Sequence, residues 1–246
     1  MASKISVVTP ERFATGMATF KEWMDAIPER AEEFQGHYDD YVPDPGDVAA
    51  IKKMVDERGV KALVLGEHWC PDVWRGLPVI SRVSEQTGME LRMFFRDKNN
   101  DIMAEFLKHG EHESIPTLVF YTKDHEYIAH WIERPAKANE EMSKLQELTA
   151  PLRNADITPE EREKHIKAYV EFQHGPVWAG WRDAAVTEIR QLLEDKVSCT
   201  TNGLKVSIVT SSASRRTTRA RISQTRTRRH SRSWSPARMA RRAAWR

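Results

Sequence analysis

Apolar positions along this chain fall into two rhythms. Over 9–36 they recur every three or four residues, with Phe13, Met17, Phe20 and Met24 on one face behind a Thr9-Pro10-Glu11 start signal. That spacing predicts helix, split at Pro28. "YVPDPGD", 41–47, reads as a loop. Asp47 then predicts the cap of a helix that carries Val48, Ile51 and Val55 and stops at Gly59.

The rhythm changes after Gly59. "VKALVLGE", 60–67, is a short apolar run that predicts a buried strand. A helix from Trp74 to Thr87 follows, kinked at Pro78 and stopped by Gly88. "MELRMFF", 89–95, predicts a second strand, and 99–110 a helix with an Asn cap and a Gly stop. "SIPTLVFYT", 114–122, and "EYIAHWIER", 126–134, predict a third and fourth strand joined as a hairpin at 123–125. A helix over 136–150 turns Met142 and Leu145 inward. Two more helical patterns occupy 158–173 and 177–195, the last with Trp178, Trp181, Ala185, Ile189 and Leu193 on one face. The order from 60 to 150 is β-α-β-α-β-β-α. Its first two connections read as crossovers, which predicts three parallel strands before the hairpin.

"GEHWCPDVWRGLP", 66–78, lies between the first strand and its helix. Trp69-Cys70-Pro71 there, together with Ile115-Pro116-Thr117 opening the third strand, resembles the thioredoxin-like superfamily over about 45–150. It is most similar to a prokaryotic thioredoxin-family branch with helical additions. The resemblance implies an α/β fold, a three-layer α/β/α core with a mixed sheet of about four strands. It divides the chain into an N-terminal helical extension (1–44), the thioredoxin-like domain (45–152), a C-terminal helical extension (153–197) and a basic tail (198–246). It also implies that Cys70 is the nucleophile and that Pro116 is cis and sits against it. Trp69, Pro71, Asp72, Val73, Ile115 and Pro116 would line the substrate groove. Two residues depart from the pattern. The second cysteine of the family's C-x-x-C falls at Val73, and the buried acid of its first strand falls at Val64.

Cys70 has two readings. A thiolate at a helix N-terminus is favoured by the macrodipole and by free N–H groups, which lowers its pKa. A packed cysteine behaves instead as a small apolar residue, and the nearby Asp72 raises its pKa. With Val73 in place of a resolving thiol, the chemistry open to Cys70 is a mixed disulfide, not a dithiol cycle. Cys199 lies beyond the core. His68, His112 and Glu113 fall near Cys70 in such a fold, but their spacing matches no zinc pattern, and they read as exposed loop residues. Arg75 reads as a solvated first-turn residue or as a partner for an anionic substrate. Trp131, Trp178 and Trp181 read as packing aromatics.

Charge changes the picture at the C-terminus. The net charge of +2 averages two unlike parts. Gly203 to Arg246 holds one Lys, twelve Arg and no acid, so this stretch carries +13 and the rest −11. Such a segment predicts disorder. It reads as a nucleic-acid arm, as a solvated tail, or as the Arg/Ser/Thr/Ala bias of a shifted reading frame in GC-rich DNA. Two cysteines imply no disulfide framework, and no apolar run reaches signal-peptide or membrane-span length, so the expected compartment is the cytoplasm.

The sequence therefore supports a monothiol thiol–disulfide protein acting on protein thiols or glutathione. The alternative is a non-redox thioredoxin-fold binding module, and the third is nucleic-acid binding by the tail alone. No cofactor, metal or membrane is called for. Removal of 198–246 is expected to leave the melting temperature unchanged. Comparing DNA binding of the full and shortened chains across salt then tests the arm, which equal weak binding would exclude.

Overall fold

The computed structural model describes residues 6–206, with side chains as far as Val197. Helices α1 (Pro10–Ala14), α2 (Phe20–Ala26), α3 (Ala31–Asp40) and α4 (Pro45–Arg58) precede β1 (Lys61–Gly66). Then come α5 (Pro71–Thr87), β2 (Leu91–Phe95), α6 (Asn100–Met103), β3 (Thr117–Tyr121) and β4 (Tyr127–Ile132). Helices α7 (Ala136–Glu140), α8 (Met142–Thr149), α9 (Pro159–Gln173) and α10 (Pro176–Val206) complete the described chain. The expected basic tail lies outside the described residues, apart from the α10 backbone as far as Val206. The side chain of Cys199 also lies outside them.

The four strands form one sheet in the order β2-β1-β3-β4. β1 and β2 run parallel, whereas β3 is antiparallel to both β1 and β4. The second expected crossover is therefore absent. β2 ends and β3 begins at the same end of the sheet, since Gly66 pairs with Phe95 and Leu65 with Thr117. A chain that leaves and re-enters at one end must reverse direction. Accordingly the helix expected over 99–110 shrinks to α6. The chain then folds back through a bridge between Lys108 and His112, with His109 and Gly110 at positive φ. Ala62, Leu63, Val64 and Leu65 are consecutive buried residues, and β3 is buried throughout, so both faces of the central strands are covered.

The helical stretch expected over 9–36 breaks at Pro28 as expected, between α2 and α3, and once more between α1 and α2. Thr9 caps α1 by accepting from Arg12 N, and Thr19 caps α2 by accepting from Glu22 N. Between them Met17 extends to exchange both backbone hydrogen bonds with Met93 at the sheet edge. Gly16 is required there, because an added Cβ would lie 2.5 Å from the Phe94 ring. The expected cap of α4 also moves. Asp44 accepts from Gly46 N and Asp47 N, while Asp47 turns toward α10.

Helix α10 is the main external support of the sheet, packing on α4, α5 and β4. Val186, Ile189 and Leu193 enter the central core, whereas Trp178 and Trp181 build a second cluster with Ala138. Glu188 accepts from Trp131 Nε1 (3.1 Å) and from the free Ala136 N–H at the start of α7 (2.7 Å). The helix expected over 136–150 breaks at Glu141, whose carboxylate accepts from Trp181 Nε1 at 2.7 Å. Asp47 joins α4 to α10 by accepting from Arg190 Nε (2.6 Å) and Thr187 Oγ1 (2.8 Å). Asp47→Ala strands both donors and should lower stability by about 1–3 kcal/mol, seen as a lower urea midpoint at unchanged m.

Candidate functional site

Cys70 is the N-cap residue of α5, and Pro71 occupies the first helical position, where its missing N–H leaves no bond unmade. The helix begins three residues earlier than the pattern at Trp74 predicts, and Pro78 lies within it. The thiol is half-buried and donates to the Ile115 carbonyl at 3.7 Å. The Ile115–Pro116 peptide bond is cis, and both residues are buried. Helix and proline loop approach closely because Gly76 faces the ring: a Cβ there would be 2.9 Å from Pro116 Cγ.

Val73 occupies the position of the missing thiol and is fully buried, 0% exposed. It packs down on Gly66, where an added Cβ would sit 2.8 Å from Val73 Cγ1. Trp69 is 44% exposed, with the Arg96 guanidinium 5.5 Å above its ring. Arg96 also holds Glu113 (2.8 Å) and Asp97 (2.7 Å). His68 faces Glu29 (3.7 Å) and Glu67 (3.8 Å), and His112 is exposed. Among the described residues no three His, Cys, Asp or Glu side chains are grouped to hold a metal. No helix among them is long and apolar enough to cross a membrane.

The charges beside Cys70 form a network. Asp72 pairs with Arg75 (2.7 Å) and with Arg134 (2.6 Å), in the turn after β4. Glu133 pairs with both Arg134 and Lys108, and Arg75 also reaches the Glu133 carbonyl at 3.4 Å. Arg75 is not the solvated first-turn residue that its position in the sequence predicts. It is 2% exposed, with Trp178 and Trp181 facing its guanidinium at 5.2 and 5.6 Å. Its charge is already used by Asp72.

Residues 17–149 match a family model described as Thioredoxin. The chain belongs to the thioredoxin family. Among solved structures it is similar to a Pseudomonas aeruginosa protein of unknown function, at 17% identity and a TM-score of 0.52, over 77% of this chain and 99% of that one. That identity speaks for the fold alone. An HIV epitope-scaffold protein superposes at a TM-score of 0.42 with 19% identity, over 72% of this chain and 99% of that one. No curated protein matches the sequence.

In this thioredoxin family member burial pushes the Cys70 thiol up to about 11, and the Asp72 carboxylate adds to the rise. The N–H groups of Val73 and Asp72 and the charge of Arg134 pull it down, but by less. The helix N-terminus, expected to lower the pKa, is therefore outweighed by loss of water. A buried carboxyl exists nearby at Glu67, not at the Val64 position: it accepts from Asp97 N at 2.7 Å, and burial raises its pKa. The sequence does not reveal Arg134 beside Cys70, nor Glu133 and Lys108 behind it, because they come from the turn after β4 and the segment before β3. Only the Asp72–Arg75 pair, three apart on a helix, carries a local signal.

A thiol with this pKa ionises late. The alkylation rate of native Cys70 should still be climbing through pH 9 and 10, whereas a free thiol levels off above about 8.5. A plateau near the free-thiol value, read on the Cys70 peptide by mass spectrometry, would show that water reaches the sulfur.

Proposed function

We propose that this chain is a monothiol thiol–disulfide protein in which Cys70 forms mixed disulfides and cannot close an internal one. The observation that carries this is the pairing of positions 70 and 73. The Cys70 sulfur sits at the α5 N-terminus against the Ile115 carbonyl, and the resolving position is filled by a buried Val73. The Cys70 thiolate would attack a disulfide R–S–S–R′, forming Cys70–S–S–R and releasing R′S⁻. R′S⁻ takes up a proton equivalent to the one Cys70 gave up. A second, external thiol must then release R. Glutathione and exposed protein disulfides are the substrate classes of suitable size.

One observation favours the binding-module reading instead: the raised pKa of Cys70 leaves little thiolate at neutral pH. Higher basicity strengthens a thiolate as a nucleophile, but less than the lost ionisation weakens it, since the rate rises with a Brønsted slope of only about 0.4–0.5. Slow exchange is the outcome both effects allow together.

The test uses oxidised glutathione and an insulin-reduction assay on a Cys199→Ser background. The parent should gain one glutathione at Cys70 and stay near zero in insulin reduction. Val73→Cys should add a sulfur one helical turn away, form an internal disulfide on mild oxidation and gain measurable reductase activity. Failure of Cys70 to take up glutathione at any pH up to 10 would leave the binding-module reading.

A further inference from the structure

Helices α3 and α10 meet at a buried imidazole. His37, in the last turn of α3, is 0% exposed. Its ring stacks on Trp178 of α10 (5.9 Å) and on His174 at the end of α9 (5.2 Å). The backbone of α3 comes close there: a Cβ added to Gly36 would lie 3.3 Å from His174 Cε1. From α10, Arg182 Nη1 donates to His37 Nδ1 at 3.2 Å.

That last contact fixes the protonation state. A guanidinium carries only donors, so Nδ1 must accept, and the ring proton of the neutral imidazole sits on Nε2. Arg182 depends on the same bond. It is 5% exposed, and its Nε has no hydrogen-bond partner. Among the described residues no carboxylate comes within ion-pair distance of it. A proton on Nδ1 would break the bond and set two buried cations against each other. Nε2 is already buried without a partner, so an imidazolium would gain no acceptor in exchange.

The surroundings act in the same direction. Burial above all, and then the charges of Arg182, His174 and Arg75, hold His37 down to about 3 against the pull of Asp40. Asp40 is engaged by His174 at 2.8 Å. Asp183 and Tyr41 lie on the Arg182 side. The α5 charges next along α3, Arg82 and Glu85, engage Tyr38 instead.

We propose that His37 is a proton-operated latch between α3 and the C-terminal helices, closed while Nδ1 takes the Arg182 bond and opened when that nitrogen takes a proton. Above about pH 6.5 His37 is neutral in the closed and the released form alike, and the latch has its full strength. As pH falls from there toward 3, the released form binds a proton that the closed form refuses, and the latch weakens. Opening strips the imidazole from Trp178, one of the two indoles that face Arg75.

Urea unfolding of the full chain at pH 8 and pH 5 tests this, for the parent and for His37→Asn. The Asn amide oxygen replaces Nδ1 as an acceptor and takes no proton. The unfolding constant of the parent, divided by that of the variant, should rise about thirtyfold from pH 8 to pH 5, the effect of one histidine that ionises only on release. A rise of less than threefold overturns the proposal. Hydrogen exchange on the unsubstituted chain requires no variant to fold and gives a second arm. Between pH 7.5 and pH 5, after allowance for intrinsic rates, amides over 34–40 and 178–182 should lose more protection than those over 62–65 in β1. Equal loss overturns the latch and leaves a histidine that only weakens the whole fold in acid.

Discussion

The buried guanidinium of Arg75 is the constraint on which the architecture around Cys70 depends. A charge so far from water is tolerated only when it is paired and its hydrogen-bonding groups are met. Here the partners come from three places: Asp72 one turn back on α5, the Glu133 carbonyl after β4, and the faces of Trp178 and Trp181 on α10. Satisfying one side chain therefore fixes three elements against one another. Cys70, at the head of the same helix, inherits its position from that arrangement. Asp72 serves both ends, since it neutralises Arg75 and at the same time opposes ionisation of the thiol.

The state of the thiol is decided by a contest between a helix terminus and dehydration. The terminus offers two N–H groups and a partial positive charge, an effect confined to one turn. Burial removes the solvent that would otherwise stabilise the thiolate, and burial is the larger influence on Cys70. The same helix terminus can thus hold an ionised or a protonated sulfur according to how much water reaches it.

Much of the core was legible because local rules and tertiary packing agree. β1 is a continuous apolar run and is buried on both faces; Gly59 and Gly88 end helices at positive φ. The departures occur where a distant partner prevails over a local pattern. Met17 has helical spacing but is drawn into an extended bridge with Met93. Asp47 has the look of a cap but is drawn to Arg190, leaving the cap to Asp44. The direction of β3 could not be read from element order, because it depends on where α6 delivers the chain. At the site, Cys70, Val73 and Pro116 could be picked out by motif. The neighbour that balances Asp72 could not, since Arg134 lies 62 positions beyond it in the sequence.

The family match ends at residue 149, but the folding unit does not. A polypeptide ended there would lose both indoles that face Arg75, the Arg190 partner of Asp47, the Glu188 carboxylate at the start of α7, and the Ile189 and Leu193 side chains that enter the core. What remained would carry a bare apolar flank beside an undressed charge, the kind of surface that drives chains to associate. The homologous segment and the autonomous segment of this chain are two different stretches, and excising the first would yield an aggregate and not a smaller thioredoxin.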